Sequence, residues 1–139
     1  MKKSFLLFIF SFCFSVLYAQ SLKIYAQDEG DYVYLGKLAS PYDNESIFNG
    51  YCKYGNEYNS KSIWNEYGKY GNEYHTESPW NEYSSKPPVI VNSDNKIVGY
   101  FTVNSLKCPR ELLPMMEYIK KHFQEAAKDP SKIYDKFFK

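Results

Sequence analysis

Tyr51-Cys52-Lys53-Tyr54-Gly55-Asn56-Glu57-Tyr58 is followed, sixteen residues on, by Tyr67-Gly68-Lys69-Tyr70-Gly71-Asn72-Glu73-Tyr74, identical at every position but the second. A fainter copy precedes them, Leu35-Gly36-Lys37-Leu38-Ala39-Ser40-Pro41-Tyr42. Each unit then closes on one phrase: Ser46-Ile47-Phe48-Asn49, Ser62-Ile63-Trp64-Asn65, Ser78-Pro79-Trp80-Asn81. A further copy begins at Tyr83 and stops at Pro87-Pro88. No unit carries enough apolar surface to fold alone, so a fixed period over residues 36–86 predicts stacked copies that share it.

Within the repeat there are few β-branched residues, a glycine or asparagine every few positions, and no apolar series at helical spacing. This composition predicts compact turns. The Ser-x-x-Asn phrase supplies side chains that bond nearby backbone, and Gly55, Gly68 and Gly71 are expected to take positive φ. Phe48, Trp64 and Trp80 fill one repeat position with large rings only, so they are expected to point inward. The tyrosines at 42, 58, 74 and at 51, 67, 83 also fall in equivalent places. Tyr54 and Tyr70, set among glycines that leave a ring uncovered, are the candidates for an exposed contact face.

On either side of the repeat the sequence reads as hairpins. Leu22 to Ala26 and Tyr32 to Leu38 are β-prone and separated by the turn formers Gln27-Asp28-Glu29-Gly30-Asp31. Val89 to Val91 and Ile97 to Val103 flank a second turn, Asn92-Ser93-Asp94-Asn95. Beyond Asn104 the pattern is helical: Leu112, Met116, Ile119, Phe123 and Ala126 form one apolar stripe. Pro109 fits a first helical position, with Pro114 as the other start. Asp129-Pro130 ends this helix, and Ile133 to Phe138 reads as one more short helical turn. The expected fold is α+β: a small antiparallel sheet from two β-hairpins, a turn-rich aromatic repeat inserted into it, and a C-terminal helix.

The first residues address the chain. Lys2 and Lys3, an apolar run from Phe5 to Leu17, and the small Ala19 before Gln20 have the layout of a secretory signal peptide cleaved after Ala19. The run is shorter than the roughly 20 residues that span a bilayer, which disfavours a membrane anchor. Cys13 does not read as a lipidation site, because Phe12 stands where a small residue is needed. The chain thus divides into a leader at 1–19, a β domain at 20–104 and a helical segment at 105–139. Losing Lys2 and Lys3 takes the formal charge from +1 to −1, which leaves no electrostatic footprint for nucleic acid. In an oxidising compartment Cys52, which replaces the glycine seen at Gly36 and Gly68, and Cys108 are a candidate disulfide. The alternative is two separate buried thiols.

The stretch from Tyr34 to Asn104 resembles a group of uncharacterised bacterial proteins. They carry tandem Tyr-Gly-x-Tyr-Gly units with a Ser-x-x-Asn phrase, ahead of a Pro-Pro segment and a strand ending near Thr-Val-Asn, here Thr102-Val103-Asn104. The resemblance brings no activity with it. Cys52 departs from its glycine pattern, and the helix after Asn104 lies outside it.

Catalytic signatures are sparse. His75 and His122 stand in different segments, neither within a His-x-x-x-His or Cys-x-x-Cys context. No phosphate-cradling loop or Gly-x-Ser-x-Gly occurs, and no pair of acids stands out. No cofactor or metal is expected. The Asn-Glu-Tyr triplets beginning at Asn56, Asn65, Asn72 and Asn81 offer oxygens to a hard cation, but calcium loops concentrate carboxylates and each triplet has one. Ten tyrosines and two tryptophans lie between Tyr32 and Tyr83, which suits either a core or a surface that binds sugars or proteins. The functional expectation is a secreted or periplasmic, non-enzymatic binding module, free of the membrane after cleavage, whose partner is a cell-envelope polysaccharide or a protein. A small cell-envelope hydrolase and a calcium-stabilised structural domain are the alternatives.

Overall fold

The structure, a computed structural model, describes residues 21–139. The expected leader and its cleavage point lie outside the described residues. Strands β1 (Leu22–Asp28) and β2 (Asp31–Leu38) form the first hairpin, and β3 (Val89–Val91) and β4 (Ile97–Tyr100) the second. All neighbours are antiparallel, in the order β2-β1-β3-β4. The two hairpins thus join through β1 and β3 into the α+β fold expected from the sequence. Leu22, Ile24 and Ala26 of β1 are buried and alternate with less buried residues, the period of a strand packed on one face. Glu29 and Gly30 both have positive φ, 51° and 86°, as a two-residue type I′ hairpin turn requires.

The repeat leaves the sheet from β2 and returns to it at β3. Its first rung pairs with β2, Lys37 N–H donating to the Glu45 carbonyl at 2.9 Å and Ile47 N–H to the Lys37 carbonyl at 3.0 Å. Gly36 makes this junction. Its φ is 113°, and a Cβ there would lie 2.8 Å from both the Glu45 carbonyl oxygen and the Tyr54 Cβ. The far end is closed by residues 101–108, where Val103 N–H donates to the Pro79 carbonyl at 2.9 Å and Asn104 Nδ2 to that of Glu82 at 2.9 Å.

The C-terminal segment forms three helices rather than one with a short final turn: α1 (Leu113–Lys121), α2 (Phe123–Lys128) and α3 (Ser131–Phe138). Pro114 lies in the first turn of α1, where a missing N–H costs nothing. The expected stripe runs through both α1 and α2, but the helix breaks at His122 (φ −127°, ψ 35°). The break sets Phe123 against both repeat indoles, 6.1 Å from Trp64 and 5.7 Å from Trp80 between ring centroids. Sheet, repeat and helices share one hydrophobic core, so residues 105–139 pack as part of the same body. Among the described residues no helix is long and apolar enough to cross a membrane.

Candidate functional site

Each rung of the repeat is a chain of turns in which the last residue of one is the first of the next, four of them β-turns and the one from Cys52 or Gly68 widened by a residue to reach Asn56 or Asn72. In the first rung the turns start at Ser46, Asn49, Cys52, Asn56 and Asn59, and Asn65, Gly68 and Asn72 continue the pattern in the second. The recurring Ser and Asn residues work alike: each side-chain oxygen accepts the N–H two residues on. From Ser46, Ser62 and Ser78 that N–H belongs to Phe48, Trp64 and Trp80, at 3.0, 3.1 and 3.1 Å. From Asn49, Asn65 and Asn81 it belongs to Tyr51, Tyr67 and Tyr83, and from Asn56 and Asn72 to Tyr58 and Tyr74, at 2.8–3.1 Å.

One local motif therefore sorts the rings into two environments. The serine turns send theirs inward, where Phe48, Trp64 and Trp80 are buried. The indoles lie 5.4 Å apart, and each Nε1 donates at 2.6 Å to a carbonyl of the preceding rung, Trp64 to Ile47 and Trp80 to Ile63. The asparagine turns send theirs outward, as does the turn at Ser40, whose Oγ accepts the Tyr42 N–H at 3.2 Å. Tyr42, Tyr58 and Tyr74 make one column and Tyr51, Tyr67 and Tyr83 another, every ring between 83% and 99% exposed. Leu106, 94% exposed, takes the corresponding place in the Asn104 turn. Asn104 Nδ2 bonds the Glu82 carbonyl as Asn72 Nδ2 bonds that of Glu66, so Leu106 extends the Tyr42, Tyr58 and Tyr74 column by a rung.

Tyr54 and Tyr70, expected on the contact face, are corrected by these positions. Tyr70 is 6% exposed, and its hydroxyl donates to Asp28 Oδ2 at 2.8 Å. Burial and that hydrogen bond push its pKa up to about 12. Lys69 completes the contact at 2.7 Å from Asp28 Oδ1, and the two donors hold the Asp28 carboxyl below its ordinary range. Tyr54 is half-buried, its ring edge-on to Tyr34 at 5.0 Å. Both tyrosines face the sheet and anchor the repeat to it. The columns went unrecognised because period alone shows which residues are equivalent, and not which way the turn aims them.

The glycines also work differently from expectation. Among the described residues, positive-φ glycines are Gly30 and Gly36. Gly55 and Gly71 are needed for close approach, since a Cβ would sit 2.0 Å from the Asn49 carbonyl oxygen and 2.1 Å from that of Asn65. At Gly68 the nearest atoms are those of the Asn65 side chain, at 3.3 Å. A side chain is admissible there, which explains Cys52 at the equivalent position without a bridge.

Cys52 and Cys108 are free thiols in the structure, a correction to the candidate disulfide. Cys52 belongs to the first full rung and Cys108 follows the segment stacked on the third. Cys108 is buried, and burial pushes its pKa up to about 11. Since the thiolate is the reactive form, iodoacetamide at neutral pH should label Cys52 in the folded protein and spare Cys108. Intact-mass analysis of the chain without residues 1–19, which carry Cys13, reads this directly, and two labels under native conditions would contradict the burial.

The Asn oxygens of the Asn-Glu-Tyr triplets are taken up by tyrosine N–H groups, and among the described residues no group of three or more His, Cys, Asp or Glu side chains gathers as a metal site. His75 and His122 are both exposed. Near the tyrosines, Glu66 accepts from Gln124 at 2.7 Å and Glu82 pairs with Lys120 at 2.6 Å. The Glu57 charge raises the pKa of the adjacent Tyr58 phenol. A cavity of about 570 Å³ lies between the sheet and the helices, lined by Leu22, Ile90 and Met115 among others, with Glu111 as its one carboxylate. Compared with family models, with curated proteins and with solved structures, the chain matches none.

Proposed function

We propose that this protein is a non-enzymatic binding module, secreted or periplasmic, whose contact surface is the double column of tyrosines. The observation that carries the reading is the exposure of six tyrosines at two repeat positions while the other rings of the repeat are covered. Large rings left exposed at equivalent positions of successive rungs are a candidate interaction surface. Tyrosine is enriched among the residues that dominate binding, because it brings a large rigid face and a hydroxyl at little cost in rotamer freedom. The columns stand on backbone fixed by paired turns, so contact requires little ordering. Against the hydrolase reading stands the cavity, whose lining holds a single carboxylate, whereas glycoside hydrolysis uses two.

The double variant Tyr58→Ala/Tyr67→Ala tests the proposal. Its melting temperature should stay close to that of the parent, as for most exposed substitutions, while retention on an insoluble cell-envelope fraction falls. Unchanged retention, or a melt as damaged as that of a core variant, would remove the columns as a binding surface.

A further inference from the structure

We propose that the tyrosine columns bind a neutral, linear polysaccharide laid along the rung axis, its sugar units in step with the rungs; this rests on the columns being the binding surface. A surface that repeats is matched best by a ligand that repeats. Equivalent side chains recur once per sixteen-residue rung, so a polymer of like units can offer the same group to each rung in turn. A folded protein partner would present a surface without that period, and its binding energy would gather in a few central, desolvated anchors. Here the six rings are almost equally bare.

The chemistry beside the rings points the same way. A phenol stacks its face on the C–H face of a sugar, and its hydroxyl exchanges hydrogen bonds with those of the ring. Glu57, Glu66, Glu73 and Glu82 each precede a column tyrosine and supply acceptors for further sugar hydroxyls. Lys120 pairs with Glu82, but among the described residues no lysine lies within ion-pair distance of Glu57 or Glu73. The Tyr42, Tyr58 and Tyr74 column therefore carries two carboxylates without an ion-pair partner, which disfavours anionic polymers.

Calorimetric titration with neutral glucan and N-acetylglucosamine oligomers, from single sugars to hexasaccharides, tests the inference. Affinity should rise with length by on the order of 10²-fold as successive rungs engage, and the gain should vanish in Tyr58→Ala/Tyr67→Ala. Polyuronate oligomers of equal length should bind more weakly. Binding that does not depend on length, or no binding to any neutral oligomer, overturns the polysaccharide. The same two proteins are also applied to envelope proteins stripped of glycan. Tyrosine-dependent retention there, without oligomer binding, overturns the sugar while leaving the binding surface standing; no retention in either arm removes both.

Discussion

Replacing Trp64 with alanine is expected to lower the unfolding free energy by about 4 kcal/mol, the middle of the range for large aromatic truncations. The indole is 1% exposed and lies against Trp80 and Phe123. Alanine leaves a cavity in the middle of the stack, where neighbouring rungs on both sides prevent collapse. The loss goes beyond volume, because Trp64 Nε1 bonds the Ile47 carbonyl at 2.6 Å, and an unpaired buried carbonyl costs about 1 to 3 kcal/mol. Trp64→Phe separates the two contributions, keeping most of the ring while leaving that carbonyl without its donor. Chemical denaturation of the three proteins checks the order parent, phenylalanine, alanine. Equal stability of parent and Trp64→Ala would mean that the rungs do not depend on their inner rings.

Gly71→Ala should be nearly as severe, about 3 kcal/mol or more, through the strain that overpacking imposes. The added methyl would stand 2.1 Å from the Asn65 carbonyl oxygen. That carbonyl cannot move freely, since it accepts the Gly68 N–H at 3.0 Å and so closes a turn. Gly68→Ala makes the matched control, because it meets only the Asn65 side chain and Cys52 already occupies the equivalent place; it should cost under about 1 kcal/mol. Thermal melts of the two variants, with identical changes in composition three residues apart, test whether close approach rather than flexibility sets the glycine pattern. If both melt alike, the pattern has another cause.

What the sequence made legible is what depends on period and local chemistry. Alternation along Leu22 to Ala26, the turn formers at Glu29-Gly30 and the apolar run at Val89 to Val91 mark the strands, and the ring-only position at 48, 64 and 80 marks the inward stack. Pairing between β1 and β3 was not legible, because it joins segments separated by the whole repeat. Nor was the break at His122, where no glycine or proline signals it and the packing of Phe123 on two indoles decides. The site was misread for a related reason. Tyr54 and Tyr70 lie among glycines, which suggests openness, yet Gly55 and Gly71 are small because the chain crosses itself there, and the tyrosines beside them are pressed toward the sheet. Asp28 could not be foreseen as the partner of Tyr70, since it lies 42 residues earlier.

The chain's two tryptophans are Trp64 and Trp80, and both belong to the inner stack. Indole emission from this protein therefore arises wholly from the second and third rungs, shielded from water, and should be blue-shifted while those rungs stay together. Two rings 5.4 Å apart and tilted by 31° are close enough for their transitions to couple, which gives circular dichroism a signature that disappears once the rungs part. The outer tyrosines contribute to neither signal directly. One spectrum thus follows the integrity of the scaffold, and ligand-induced changes in tyrosine absorption report separately on the surface it holds up.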